Sequence, residues 1–116
     1  MRLDSKVRAT RDFFAYFLAY YPQFPPEDEM DRERSFRCLV EGVENAEGGS
    51  QDPTTLHWLA LCKQQLADAR EAHAAGTILA VEKAVRSARE FFEYAIQRRT
   101  PVADFVVGPS GNVKKT

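Results

Sequence analysis

The residue types that could support catalysis in this chain are two histidines and two cysteines, and their spacing does not favour it. His57 and His73 lie sixteen residues apart, without the i, i+3 or i, i+4 pairing that sets two metal ligands on one helix face. Cys62 follows His57 by five residues, so on a helix the two side chains point about 140° apart and cannot form a nucleophile–base pair. Cys38 and Cys62 have no metal or redox spacing, and we expect free thiols.

Other motifs and the composition exclude further classes. The chain has no P-loop, dinucleotide-binding glycine pattern or Gly-x-Ser-x-Gly turn. We therefore expect no catalytic residue, no metal and no cofactor, and predict that the chain is not an enzyme. A net charge of −1, with 28% charged and 44% hydrophobic residues, is typical of a soluble globular protein with no overall attraction to nucleic acid or anionic membrane.

The membrane and secretion signals are also missing. The longest apolar run, residues 13–21, is far shorter than the roughly 20 residues that a membrane span needs. Asp4 and Asp12 interrupt the basic N-terminal stretch, so it does not resemble a secretory signal. We expect a cytoplasmic protein that does not contact membranes.

A repeat brings basic side chains to two places in the chain. Residues 7–16 (VRATRDFFAY) recur as residues 85–94 (VRSAREFFEY) with six identities. Two arginines three positions apart share a helix face, where they could hold a phosphate or a carboxylate. If the two helices lie side by side, these residues form a basic stripe suited to a nucleic-acid backbone. The stripe consists of Arg8, Arg11, Arg86 and Arg89.

Carboxylates on the same helices argue against a strongly basic stripe. Asp12 follows Arg8 by four residues, and Glu90 and Glu93 follow the arginines of the second copy in the same way. Such i, i+4 pairs stabilise a helix by about 0.2–0.5 kcal/mol and would neutralise part of the charge. The acidic cluster of residues 27–33 could likewise hold a cation or a basic partner, or form a solvated helix start.

Aromatic residues are concentrated near the N-terminus, where seven of the thirteen lie between residues 13 and 24. A four-helix core buries one stripe per helix, which accommodates Phe14, Phe17 and Tyr21 but leaves a second stripe over. Surplus apolar surface on a soluble chain indicates a contact surface, and tyrosine is favoured at interfaces. The predicted protein interface consists of Phe13, Tyr16, Tyr20, Phe91 and Tyr94. The alternative is that the C-terminal tail covers these side chains through Phe105 and Val107.

Helical periodicity and local punctuation predict four helices, at about residues 4–21, 27–47, 53–75 and 77–99, and an irregular tail over residues 101–116 that is extended or disordered. Asp52 and Pro53 are an N-cap followed by a proline at the first helical position. Gly76 separates the last two helices, although one long bent helix is the alternative. Short loops between amphipathic helices predict an all-α fold, a small antiparallel four-helix bundle over residues 1–100.

These observations predict a non-enzymatic helical protein-interaction module: a small regulator, an inhibitor or an accessory subunit. We expect a homodimer that also binds a further protein partner through the aromatic surface of the first and fourth helices. The alternative is a nucleic-acid-binding accessory protein that uses the arginine stripe. A third possibility is an apolar small-molecule pocket in the aromatic core.

Overall fold

The computed structural model describes residues 5–98 and, beyond them, the backbone of two short strands. The described part contains four α-helices: α1 (Ser5–Tyr20), α2 (Arg32–Gly48), α3 (Pro53–Ala74) and α4 (Ile78–Ile96). The strands β1 (Val106–Val107) and β2 (Val113–Lys114) pair antiparallel, with Val106 opposite Lys114. The predicted all-α fold of four helices is confirmed. Whether the tail packs on the helices, through Phe105 or Val107, lies outside the described side chains.

The second helix begins later than the sequence predicted. A 3-10 turn, Pro26–Asp28, occupies the predicted start, and Glu29 then adopts a left-handed φ of 52°, which a continuous helix does not allow. The helix starts at Arg32, because the Asp31 carboxylate caps it by accepting the Arg34 backbone N–H at 2.7 Å. Met30 therefore lies in the connector before α2 and is half-buried.

The start of α3 agrees with its sequence signal. Asp52 accepts the backbone N–H groups of Thr54 and Thr55, each at 3.4 Å, and Pro53 is the first helical residue. Pro53 has no N–H to satisfy, and its restricted φ suits the first turn. The predicted N-cap is confirmed.

The break between α3 and α4 is also confirmed, and the single bent helix is excluded. Gly76 has a φ of 77°, which glycine adopts without a Cβ penalty. Thr77 donates its N–H to the Ala72 carbonyl and Gly76 donates to the His73 carbonyl, both at 3.0 Å. These two bonds are those of a Schellman motif, the usual glycine-dependent helix end.

Neighbouring helices in the bundle run antiparallel. Between α1 and α4, Phe14 contacts Phe92 while Arg11 pairs with Glu93, so numbers rise on one helix as they fall on the other. The same reversal relates α1 to α2 and α2 to α3, through Thr10 with Gly42, Phe17 with Phe36, Glu47 with Lys63 and Glu33 with Arg70.

The core fills the space between the four helices with aromatic and aliphatic side chains. Its largest fully buried members are Trp58, Phe14, Phe17, Phe36, Phe92, Leu39, Leu59 and Leu66. Phe17 stacks on Tyr21, the residue directly after α1, with ring centroids 4.8 Å apart. The Tyr21 hydroxyl in turn lies 2.7 Å from the His73 Nδ1 atom near the end of α3. This contact fixes the C-terminal end of α1 on the bundle.

Candidate interaction surface

The C-terminal half of α1 has no charged side chain after Asp12, yet much of it faces solvent. Ala15 and Ala19 are exposed, the Tyr20 side chain is 46% exposed, and Tyr16 and Leu18 are half-buried. The buried stripe of α1 consists of Thr10, Phe14 and Phe17, and the other side of the helix is exposed at Ala15, Ala19 and Tyr20. We call this side the α1 outer face and include in it the half-buried residues at its two edges, so that it is formed by Ala15, Tyr16, Leu18, Ala19 and Tyr20.

Aromatic rings line one edge of the α1 outer face. The Tyr16 ring lies 5.4 Å from Phe13, 5.1 Å from Tyr20 and 5.6 Å from Phe24, centroid to centroid. Phe24 stacks on Tyr16 from the connector between α1 and α2, and it also packs against the buried Phe17. The structure therefore brings together the three α1 residues of the predicted interface, and it adds Phe24, which the sequence analysis did not select.

The same edge carries negative charge. The Tyr16 hydroxyl donates to the Asp28 carboxylate at 2.8 Å. Partial burial, this hydrogen bond and the charges of Asp28 and Glu27 together raise the pKa of Tyr16 from 10.0 to about 12. Glu27, Asp28 and Glu29 are all exposed. The acidic connector thus borders the α1 outer face on the Tyr16 side.

The two aromatic residues predicted on α4 belong to a different cluster. Phe91 stacks on Trp58 of α3 with centroids 5.9 Å apart, and Tyr94 meets the same indole edge-on at 5.1 Å. The Tyr94 hydroxyl donates to Glu90 at 2.6 Å. Phe91 and Tyr94 are half-buried against α3. The described ring partner of both residues, Trp58, lies within the bundle.

The predicted interface is consequently divided between two places. The α1 residues contact the connector that leads to α2, whereas the α4 residues contact α3. Because α1 and α4 are neighbours, these two clusters lie on opposite sides of the α1–α4 contact. The five aromatic residues do not form one continuous face.

The four arginines of the predicted stripe are all exposed, and α1 and α4 lie side by side as the stripe requires. The i, i+4 ion pairs expected from the sequence do not form. Within residues 5–98, the Arg11 guanidinium instead bonds Glu93 across the helix pair, with Nε 2.6 Å from the carboxylate. Glu90 accepts from Tyr94. Arg8, Arg86 and Arg89 are in no ion pair within the part of the chain that the structure describes.

Arg86 and Arg89 border the α1 outer face on its other edge. A shallow groove between α1 and α4 is lined by Leu18, Arg86, Arg89, Glu90 and Glu93. Glu93 is engaged by Arg11, and Glu90 by Tyr94. Beside Leu18, the groove therefore carries two guanidinium groups that are in no described ion pair, together with the Glu90 carboxylate, whose charge the tyrosine hydrogen bond does not neutralise.

A second exposed apolar region was not predicted. Every residue from Ala74 to Leu79 is exposed at the tip of the α3–α4 hairpin, where Ile78 is 44% and Leu79 is 79% exposed. His73, the residue before this tip, contacts Tyr21 directly after the end of α1, so the tip extends past the end of α1. A sequence signal was present for Leu79, because it falls outside the buried α4 stripe that begins with Val81 and Val85.

The reactive residue types are dispersed among the described residues. No group of three or more His, Cys, Asp or Glu side chains within them could hold a metal ion. Cys62 is buried, and desolvation raises the pKa of its thiol from 9.0 to about 12, which disfavours the nucleophilic thiolate. His57 is exposed beside Trp58, whereas the His73 Nδ1 atom lies within hydrogen-bond distance of the Tyr21 hydroxyl.

A cavity of about 360 Å³ opens where α1 begins and α4 ends, at the opposite end of the bundle from the hairpin tip. Its lining combines core side chains with polar ones: Val7, Leu59, Phe92, Ile96, Lys6, Asn45, Thr55 and Arg98. The small-molecule pocket stays a prediction.

Within the described residues, none of the helices is both long enough and apolar enough to cross a membrane.

No protein-family model, no curated protein and no solved structure matches this chain.

Proposed function

We propose that this chain is a non-enzymatic helical protein-interaction module, acting as a small regulator, inhibitor or accessory subunit, and that it binds protein through the α1 outer face. The observation that carries the proposal is the exposed, uncharged half of α1, with Ala15, Ala19 and Tyr20 open to solvent. Burying apolar surface contributes about 25 cal/mol per Å², and here no charged group of α1 has to be desolvated. The free thiols Cys38 and Cys62 support the expected cytoplasmic location.

The proposed surface lies on α1 alone, whereas the interface predicted from the sequence included residues of both α1 and α4. Phe91 and Tyr94 pack on Trp58, so their aromatic area is largely used inside the molecule. Phe13 is half-buried beneath Tyr16. The residues that remain for a partner are therefore those of the α1 outer face, with Tyr20 as the most exposed ring.

The test is site-specific photo-crosslinking in cells that express the protein. A benzophenone amino acid replaces Tyr20, and in a matched control it replaces Leu79, which is also exposed and apolar but lies on the hairpin tip. We expect a discrete protein adduct from position 20 that disappears when Ala19→Glu is added and that position 79 does not give. No adduct at position 20, or the same adducts at both positions, would contradict the proposal.

A nucleic-acid-binding accessory protein is the second candidate, favoured by the two unpaired arginines beside Leu18. Backbone contacts by Arg86 and Arg89 predict affinity for double-stranded DNA or RNA that falls steeply with salt. Fluorescence anisotropy measures this, with Arg86→Glu/Arg89→Glu as the test variant and Arg37→Glu, an exposed arginine of α2, as the control. Equal binding by both variants, or absence of binding at low salt, would exclude this candidate.

A further inference from the structure

We infer that the partner of the α1 outer face is a second copy of this chain, with the two α1 helices parallel and the acidic connector of each copy against Arg86 and Arg89 of the other. The inference rests on the proposed function, because it uses the same face. It specifies which molecule binds the face, the symmetry of the pair and the charges that favour this arrangement.

The two edges of the α1 outer face carry opposite charge. On the Tyr16 edge, Asp28 accepts the tyrosine hydroxyl at 2.8 Å, and the charge of Glu27 contributes to the raised pKa of the same tyrosine. On the Leu18 edge, Arg86 and Arg89 line the groove beside that leucine together with Glu90 and Glu93. Arg11 pairs with Glu93, so three guanidinium groups stand against two carboxylates and this edge keeps a net positive charge. Within the described residues, Arg86, Arg89 and Glu27 form no ion pair.

The two charged edges also lie at nearly the same height along α1. Tyr16 and Leu18 are two residues apart, which corresponds to about 3 Å along a helix axis and about 200° around it. The acidic and basic groups thus stand on either side of the helix at one level. Between them lie the small residues Ala15 and Ala19, which allow a second helix to approach closely.

Symmetry decides which arrangement of two copies satisfies these charges. A homodimer interface is normally two-fold, and each patch then meets a patch on the partner. If the two-fold axis runs parallel to α1, the rotation places the left edge of one copy against the right edge of the other. The acidic edge of each copy then meets the basic edge of its partner, and the dimer contains two such contacts. If the axis lies across α1 in the interface, like edges meet, which sets arginine against arginine. Like-charge contacts are unfavourable, and the parallel arrangement is therefore selected.

The charge pattern explains why a second copy fits this face better than an unrelated partner does. A partner has to present an uncharged surface about as wide as a helix, with a basic group on one side of it and an acidic group on the other. Both groups have to lie at the same position along the helix axis. This chain itself carries that pattern, with Glu27 and Asp28 on one side and Arg86 and Arg89 on the other. Asp12 lies three residues before Ala15, about 4.5 Å along the helix axis, and seven before Ala19, so the contact is centred on the uncharged half of α1 beyond it.

The test is a charge-swap experiment on the full chain. One variant carries Arg86→Glu and Arg89→Glu, which makes both edges acidic. The other carries Glu27→Lys and Asp28→Asn, which replaces the two negative charges beside Tyr16 with one positive charge while keeping an acceptor for the Tyr16 hydroxyl. Light scattering at several concentrations gives the mass of each variant, of the wild type, of the Arg37→Glu control and of an equimolar mixture of the two variants. Circular dichroism confirms that each variant is folded.

We expect a dimer for the wild type and for Arg37→Glu, a monomer for each charge-swap variant alone, and recovery of the dimer in the mixture, since both interfaces of a mixed pair are then complementary. High salt should weaken the mixed dimer, because exposed charge pairs are screened. A monomeric wild type, or two folded variants that remain dimers alone, would overturn the inference. If photo-crosslinking at position 20 then yields an adduct with another protein, the proposed function survives without it; if no adduct forms, both fail together.

Discussion

Phe14 of α1 and Phe92 of α4 contact each other with ring centroids 5.5 Å apart, and they are equivalent positions of the repeated segments 7–16 and 85–94. The two copies of the repeat thus pack against each other, antiparallel, and their buried stripes close the same part of the core. Duplication of a helical hairpin would relate α1 to α3, the first helices of the two hairpins. The repeat relates the first helix to the last, which fits one packing solution used twice.

The contact between Phe14 and Phe92 predicts coupled stability effects. Phe14→Ala and Phe92→Ala should each lower the free energy of unfolding by about 3–5 kcal/mol, because each leaves a cavity in the core. The double variant should lose less than the sum, with a coupling of about 0.5–3 kcal/mol. Urea denaturation of the four proteins measures this, and Phe13→Ala, at a half-buried site, should cost less. Strict additivity would show that the two rings do not share one packing environment.

Two glycines of α2 should respond in opposite directions to the same substitution. A Cβ at Gly42 would lie 2.7 Å from the Thr10 Cγ2 atom, so Gly42→Ala forces α1 and α2 apart and should cost about 1–3 kcal/mol. A Cβ at Gly48 meets no atom within 4 Å, and Gly48→Ala should stabilise by up to about 1 kcal/mol through helix propensity. Thermal unfolding compares the two. Thr10→Ala should restore part of the loss in Gly42→Ala; if it does not, the cause lies elsewhere.

The N-cap of α3 predicts a pH dependence. The hydrogen bond from the Thr55 hydroxyl, followed by backbone N–H bonds, lowers the pKa of Asp52 in the folded protein. A lowered folded pKa means that the carboxylate stabilises the fold above the unfolded pKa, near 3.9, and that this contribution is lost as the pH falls through the folded pKa. Asp52→Ala should therefore lower the melting temperature at pH 7, and the difference from the wild type should shrink in acid. Asp68→Ala, an exposed site within α3, is the control and should show little change.

The two cysteines should differ in reactivity. Cys62 is fully buried and the pKa of its thiol is raised to about 12, whereas Cys38 is half-buried. Because the thiolate is the reacting species, a thiol-specific alkylating reagent should modify Cys38 first and reach Cys62 only on unfolding. Mass spectrometry of peptides after timed labelling, with and without urea, distinguishes the two sites. Equal labelling rates in the native protein would mean that α3 opens locally around Cys62.

Several features of the fold were predictable because their causes are local. Asp52 caps amides two and three residues away, and Gly76 ends a helix through its own φ. The start of α2 was predicted wrongly at residue 27. The acids of residues 27–29 satisfy a first-turn preference, but the cap that forms is Asp31, whose carboxylate accepts the Arg34 backbone N–H. Aspartate is a preferred N-cap residue, so Asp31 was a usable signal.

Which residues form the candidate surface is decided by contacts between elements that are distant in the sequence. The sequence identified Phe13, Tyr16 and Tyr20 as surplus to one buried stripe, and they are in contact with one another around Tyr16. It could not show that Phe24 would stack on Tyr16, or that Arg11 would pair with Glu93 rather than leave Glu93 to Arg89. These pairings join residues on different elements.

The sequence by itself determined the four helices, most of their ends and the buried residues Phe14, Phe17 and Tyr21 of the first helical segment, since periodicity, caps and glycine act over a few residues of the same chain. Only the tertiary structure decided which of the remaining side chains stay exposed. Phe91 and Tyr94 have a local sequence similar to that of Phe13 and Tyr16, but α3 lies beside the former and the connector beside the latter. The outer surface of a helix is defined by its neighbours, and the order in which helices pack is set by the whole core.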